Sequence, residues 1–272
     1  MAVIDQPGAA SVALEPERAS SLRVPGMALW RLASLALFCG LWEVAGRIPI
    51  NPAFPPFSDT LVAFARMTAD GSLPRAFFIT LQPLAVGVVV SAVLGVSIGV
   101  LIGLRRMAEW LIAPIFIVLQ AAPMAALIPL VTFVYGIGIT AKIMSVCILA
   151  LPVIVLNSYK AIRNVNPSLI AMCRSFLGSR PQQIVKIMLP DAAPLIFAGL
   201  RLGVSAGFIG VILAELLITP TGIGDLITFH QSTASYPEMY AAIASIVAFS
   251  ALTLMVLQWV EVRLFRPEMR GA

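Results

Sequence analysis

The chain has 272 residues, 60% of them hydrophobic and 11% charged, with a mean hydropathy of +0.97. So small a charged fraction cannot cover a water-soluble domain of this length, which makes lipid the solvent for much of the chain. The formal charge of +5 comes from basic residues dispersed between apolar stretches; this excludes a nucleic-acid-binding patch and leaves them the task of setting membrane topology.

Residues 1–26 are rich in Ala, Ser, Pro and Glu without apolar periodicity, and read as a disordered cytoplasmic tail. The run from Met27 to Ala45 is too long for the core of a signal peptide, so it is expected to stay as an anchor. A membrane-spanning helix needs about 20 mostly apolar residues. Runs over 27–46, 78–103, 110–135, 142–160, 194–218 and 239–262 meet that test and predict about six spans. The third contains Pro114, Pro123 and Pro129, which should break or kink it. Between the first two spans, Asn51 to Pro56 reads as extended chain. Ser58 to Ala69 follows as a short amphipathic helix with Ser58 or Asp59 as N-cap.

Basic residues orient the spans. With the N-terminus inside, the outer loops and flanks hold Arg47, Arg66, Arg75 and Lys142. The other fourteen of the eighteen, among them Arg105, Arg106, Lys160, Arg163, Arg174, Arg180, Lys186, Arg263, Arg266 and Arg270, fall on the inner side. Both termini are therefore expected in the cytoplasm.

Two spans carry glycine at every fourth position: Gly95, Gly99 and Gly103 in the second, Gly199, Gly203 and Gly207 in the fifth. Such faces let helix backbones approach closely. Packing within one bundle is the favoured reading and a dedicated dimer seam the other. The intramembrane polar groups are mostly hydroxyls and amides (Ser91, Ser97, Gln120, Asn157, Ser205, Ser245), with Arg31 and Arg201 near inner helix ends, where they can snorkel. Glu43 falls near the outer end of span one. Glu215 stands out, because it follows an apolar stretch and occupies the last turn of its helix, where a negative charge opposes the macrodipole. It reads either as part of an outer mouth or gate, or as an interfacial residue hydrated or paired with Lys142 or Arg75.

Several chemistries are excluded. Gly136 to Ile143 superficially resembles a phosphate loop, but Ala141 precedes the lysine and Ile143 replaces the hydroxyl residue that would hold magnesium. If ATP drives this protein, another polypeptide hydrolyses it. Cys39, Cys147 and Cys173 lack paired spacing and His230 lacks partners, so neither a disulfide framework nor a metal site is expected. Two rival classes stay open: an ion-coupled transporter, which would need titratable groups at midplane and a proton or sodium gradient, and an embedded enzyme, which would need clustered His, Cys or carboxylates.

The most specific segment is predicted to be cytoplasmic, running from Ala171, Met172, Cys173 and Arg174 through Phe176, Leu177, Gly178, Ser179 and Arg180 to Gln183, Ile184, Lys186, Leu189 and Pro190. It reads as a helix, a Gly-Ser break, a second amphipathic helix and a proline stop. This stretch resembles the coupling loop of binding-protein-dependent ABC permeases, whose pattern is E-A-A, three residues, G, then an apolar residue before L-P. The resemblance extends through Pro194–Gly203, through Ala214-Glu215, and through Thr221-Gly222-Ile223-Gly224-Asp225. Upstream, Pro114 to Gln120, Pro123, Ile128-Pro129-Leu130 and Tyr135 to Gly138 resemble the nitrate, sulfonate and taurine branch; the similarity covers about residues 75–265. The pattern is departed from in two places: Ala171, Met172 and Cys173 stand where it has E-A-A, and Leu177 stands where it has glycine, with Gly178 displaced by one.

The resemblance implies an all-α fold, a type I ABC importer transmembrane domain over residues 27–272 with a cytoplasmic coupling helix at 167–190. It further implies a bacterial inner-membrane protein working as a permease pair, here a homodimer, with a cytoplasmic ABC ATPase and an extracytoplasmic solute-binding protein. No residue of this chain would be catalytic, and it would bind no cofactor, ATP and magnesium residing on the ATPase. The solute implied is a small organic anion or oxyanion, such as a sulfonate, taurine or nitrate, with a neutral heterocycle as the alternative.

Overall fold

The computed structural model describes residues 27–48, 53–218 and 220–265. The expected tail over residues 1–26, with Arg266 and Arg270, lies outside them. The described chain is helical: α1 (Met27–Arg47), α2 (Phe57–Ala69), α3 (Ser72–Leu104), α4 (Arg106–Ala121), α5 (Met124–Tyr135), α6 (Ile139–Arg163), α7 (Pro167–Ser175), α8 (Arg180–Gln183), a π-helical turn (Ile184–Met188), α9 (Leu189–Leu217), α10 (Ile223–Ser232) and α11 (Tyr236–Phe265).

Among the described residues, α3, α6, the continuous helix over 180–217 and α11 are long and apolar enough to cross a membrane. The expected third span is instead two helices meeting at 109°. Of its three prolines, Pro123 makes the break. It forces Ala122 into an extended conformation (ψ 145°) and caps α5, whereas Pro114 and Pro129 sit inside α4 and α5. The first expected span is α1, which is about 31 Å long by helical rise. It leaves Leu32, Leu35, Phe38 and Leu41 exposed, as a lipid-facing helix would.

The most buried span is α6, and α3 and α9 lie against it. Glycine makes these contacts close. A Cβ at Gly95 would lie 2.8 Å from Ile154, one at Gly99 2.6 Å from Ser158, and one at Gly103 2.6 Å from Ile162. On the other flank of α6, Gly199 rests on Asn157 and Gly203 on Ile154, with Gly210 against the Ser145 backbone. Gly207 touches Leu84 and Val88 of α3 as well as Val146 of α6. Both glycine rows therefore pack within this chain, and Ile154 fills the space vacated by a glycine on each side.

Polar ties hold the periphery. The predicted side-chain cap of α2 does not form: Pro56 takes the N-cap position, and Ser58, already helical, gives its N–H and hydroxyl to Glu43 of α1 at 2.9 and 3.0 Å. Trp42 donates its indole N–H to the Pro55 carbonyl at 3.1 Å and stacks with Phe54, Phe57 and Tyr240, which seats α1 and α2 on α11. Arg201 pairs with Glu261 of α11 at 3.4 Å. At the same end of the bundle Glu109 accepts a 2.6 Å hydrogen bond from Tyr159 and pairs with Arg163 at 2.9 Å, tying the foot of α4 to the foot of α6.

Candidate functional site

Two places combine unusual chemistry with unusual geometry, and one helix connects them. At its C-terminal end Glu215 is only 2% exposed, and its carboxylate lies 2.7 Å from the Lys142 ammonium, itself 3% exposed. Each charge sits unfavourably for its own helix, Glu215 in the last turn of α9 and Lys142 in the first turn of α6. Pairing offsets both costs. A third helix adds to this: α10 points its N-terminus at the carboxylate, and Gly224 donates its N–H to Glu215 Oε2 at 3.1 Å.

The rest of the cradle is fully satisfied. Thr80 of α3 donates its hydroxyl to the Glu215 carboxylate at 2.9–3.0 Å and accepts the Ile223 N–H at 3.0 Å. Lys142 uses its remaining two donors on Thr221, at 3.0 Å to the carbonyl and 2.9 Å to the hydroxyl. Gly222 and Gly224 are required by closeness: a Cβ on either would collide with Glu215. The cradle thus binds α3, α6, α9 and α10 at one point. Sequence reasoning found Glu215 and gave Lys142 as one of its partners. It missed α10, whose signals were the Thr221-Gly222 turn and Asp225 in the first helical turn.

At the other end lies the 167–190 segment. Asn166 caps α7 by accepting the Ser168 N–H at 2.9 Å, with Pro167 beside it in the first turn. The helix closes in a Schellman motif: Gly178 donates its N–H to Cys173 O and Leu177 to Arg174 O, both at 2.9 Å. This motif needs a left-handed residue at its turn, and Leu177 is that residue, with φ +56°. A leucine pays about 1–2 kcal/mol there, which glycine would not. Gly178 is needed for a different reason, since a Cβ on it would run into the Cys173 sulfur.

Phe176 and Leu177 are 81% and 93% exposed, and Arg174, Arg180 and Lys186 of the same segment are exposed too. Ala171, Met172, Ser179 and Pro190 are exposed as well; Cys173, Gly178, Ile184 and Leu189 are half-buried, and Gln183 is buried with its amide on the Gly178 carbonyl. A capping contact from Ser179 N–H to the Gln182 side chain at 2.8 Å opens α8. The expected proline stop does not occur. Pro190 lies in the first turn of α9, and the π turn before it pairs Leu189 N–H with Ile184 O, a five-residue step that takes up the missing proline donor. The helix therefore runs unbroken from Arg180 to Leu217, about 57 Å by helical rise.

Among the described residues, no group of three His, Cys, Asp or Glu is placed to hold a metal ion. Residues 91–270 match the family of binding-protein-dependent transport system inner membrane components. The chain belongs to that family. It is 26% identical over 233 residues to a putative aliphatic sulfonates transport permease of Bacillus subtilis, covering 85% of this chain and 84% of the other. It is 25% identical to the taurine transport permease of Escherichia coli (82% and 83% covered) and 28% identical to a riboflavin transport permease of Chloroflexus aurantiacus (90% and 91%). In fold it is similar to a chain of the MetNI methionine ABC transporter in an inward facing crystal form, at TM-score 0.59 and 19% identity over 71% of this chain and 94% of that one. The protein is thus an inner-membrane permease subunit of the ABC importer class, in the nitrate, sulfonate and taurine branch.

Proposed function

We propose that this permease imports a small organic anion or oxyanion as a homodimer, driven by a separate ABC ATPase docked on residues 167–190 and supplied by an extracytoplasmic solute-binding protein. The observation that carries this reading is the exposed Phe176–Leu177 tip, in a segment that also exposes Arg174, Arg180 and Lys186, just before a helix that continues unbroken through the bundle. Force applied there enters the continuous helix of 180–217 through only Gly178 and Ser179. ATP and magnesium belong to the ATPase, and both termini of the permease face the cytoplasm.

In this reading Glu215 serves the outer mouth indirectly. Its carboxylate is buried and fully bonded, so it does not meet the binding protein itself; it fixes α10 to the core. An anionic solute is favoured by the sulfonate, taurine and nitrate relatives, whereas the riboflavin relative supports a neutral heterocycle as the second reading. The deciding experiment reconstitutes permease, ATPase and binding protein in proteoliposomes and offers labelled taurine, an alkanesulfonate, nitrate and riboflavin. ATP-dependent uptake of one of the three anions supports the first reading. Uptake of riboflavin alone supports the second, and uptake driven by an ion gradient without ATP overturns both.

A further inference from the structure

We infer that Leu177 is the specificity-determining anchor of the ATPase interface, seated in an apolar pocket of the ATPase whose rim carries carboxylates. This rests on the docking reading above and adds to it which side chain is gripped and by what chemistry. Three observations carry it. The turn that closes α7 calls for a residue with positive φ, and a large side chain occupies it at a cost in backbone strain that the neighbouring glycine, one position later, does not relieve. That side chain is 93% exposed and touches nothing that would compensate the strain within the chain. Its neighbour Phe176 is 81% exposed, so the two form a projecting apolar knob.

The surroundings fix the partner's chemistry. Arg174 and Arg180 flank the knob in sequence and Lys186 follows in the π turn; all three are exposed, and among the described residues none of them forms an ion pair within the chain. Apolar anchors supply most of the energy of an interface, and rim charges steer encounter. A partner that fits this arrangement has a hydrophobic pocket surrounded by Asp and Glu. The same turn closes α10, where Ala234 takes the left-handed position at φ +55° with the matching hydrogen bonds from Ala234 to Gln231 and from Ser235 to His230. That site provides an internal control: it is strained in the same way, carries only a methyl group, and lies at the other end of the bundle.

The test measures binding of the ATPase to full-length permease in nanodiscs, for wild type, Leu177→Gly, Leu177→Asn, Phe176→Ala and Ala234→Gly. Glycine relieves the strain and removes the anchor; asparagine tolerates positive φ, so it keeps the turn while removing the apolar side chain. Leu177→Gly and Leu177→Asn are expected to weaken binding at least about tenfold with the thermal midpoint of the permease unchanged or raised. Ala234→Gly should leave affinity unchanged. If both Leu177 variants bind within twofold of wild type while Phe176→Ala is impaired, the loop still docks but Leu177 is not the anchor. If all three loop variants bind normally, the docking reading falls as well. Weakening seen only in discs containing anionic lipid would assign Leu177 to the membrane surface and overturn the proposal.

Discussion

Glu215 and Lys142 show how far single residues can be read from sequence and where that reading stops. The cost of a carboxylate at the end of an apolar helix is visible in the sequence, and so is the pairing candidate Lys142. What is not visible is the third dimension of the cradle. Thr80 lies 135 positions from Glu215, and the Gly224 N–H is a backbone group with no signature of its own. Buried ion pairs are held by the cost of breaking them more than by the gain in forming them. Lys142→Met, which strands the carboxylate, is therefore expected to cost about 3–5 kcal/mol. The double variant Lys142→Met with Glu215→Leu should recover most of that loss. Equilibrium unfolding in mild detergent measures both, and a double variant no more stable than the single would show that the cradle's hydrogen bonds, not its charges, hold the four helices.

At the scale of elements, hydropathy located four of the six expected spans as single long apolar helices among the described residues, because an apolar run of about 20 residues has few other uses. The errors lie where a proline has two possible outcomes. Pro123 breaks its helix and Pro190 does not, and the difference is the π turn of 184–188, a hydrogen-bond register that no local residue pattern announces. The short helix α10 escaped notice because its ten residues fall below the length of a span. The glycine rows, by contrast, were legible as close-packing faces; α6 lies against both, and Gly207 also meets α3. Gly99→Leu and Gly203→Leu should each push a backbone off α6 and destabilise the bundle by at least about 1–3 kcal/mol. A size-exclusion thermal-stability assay reads this directly; wild-type melting of either variant would mean that the helices can part there without penalty.

For the whole molecule, one end of the bundle gathers Arg105, Arg106, Lys160, Arg163 and the 167–190 loop, while Lys142, counted among the few basic residues of the other end, is sequestered in its ion pair. The exposed charge asymmetry is thus steeper than a count from sequence gives, and a reporter fused after Arg106 or after Ala272 is expected to read cytoplasmic. A periplasmic reading at Ala272 alone would mean that the bent α4–α5 pair re-enters the membrane and does not cross it. The continuous helix from Arg180 to Leu217 then joins the 167–190 loop at its head to the cradle of Glu215 in its last turn. A stiff element gripped at both ends transmits displacement only if both grips hold. Releasing Glu215 should therefore disconnect α10 from events at the loop without disturbing the ATPase itself. In the double variant Lys142→Met with Glu215→Leu, basal ATP hydrolysis by the assembled transporter should stay within about twofold of wild type. Stimulation by solute-loaded binding protein should fall by about tenfold or more, the size of a coupling free energy of 1–3 kcal/mol. Parallel ATPase assays with and without loaded binding protein separate the two quantities. Full stimulation in the double variant would reduce the buried pair to a structural clamp and place the coupling between inner loop and outer mouth on another helix, α6 being the next to test because it contacts both α3 and α9 along its length.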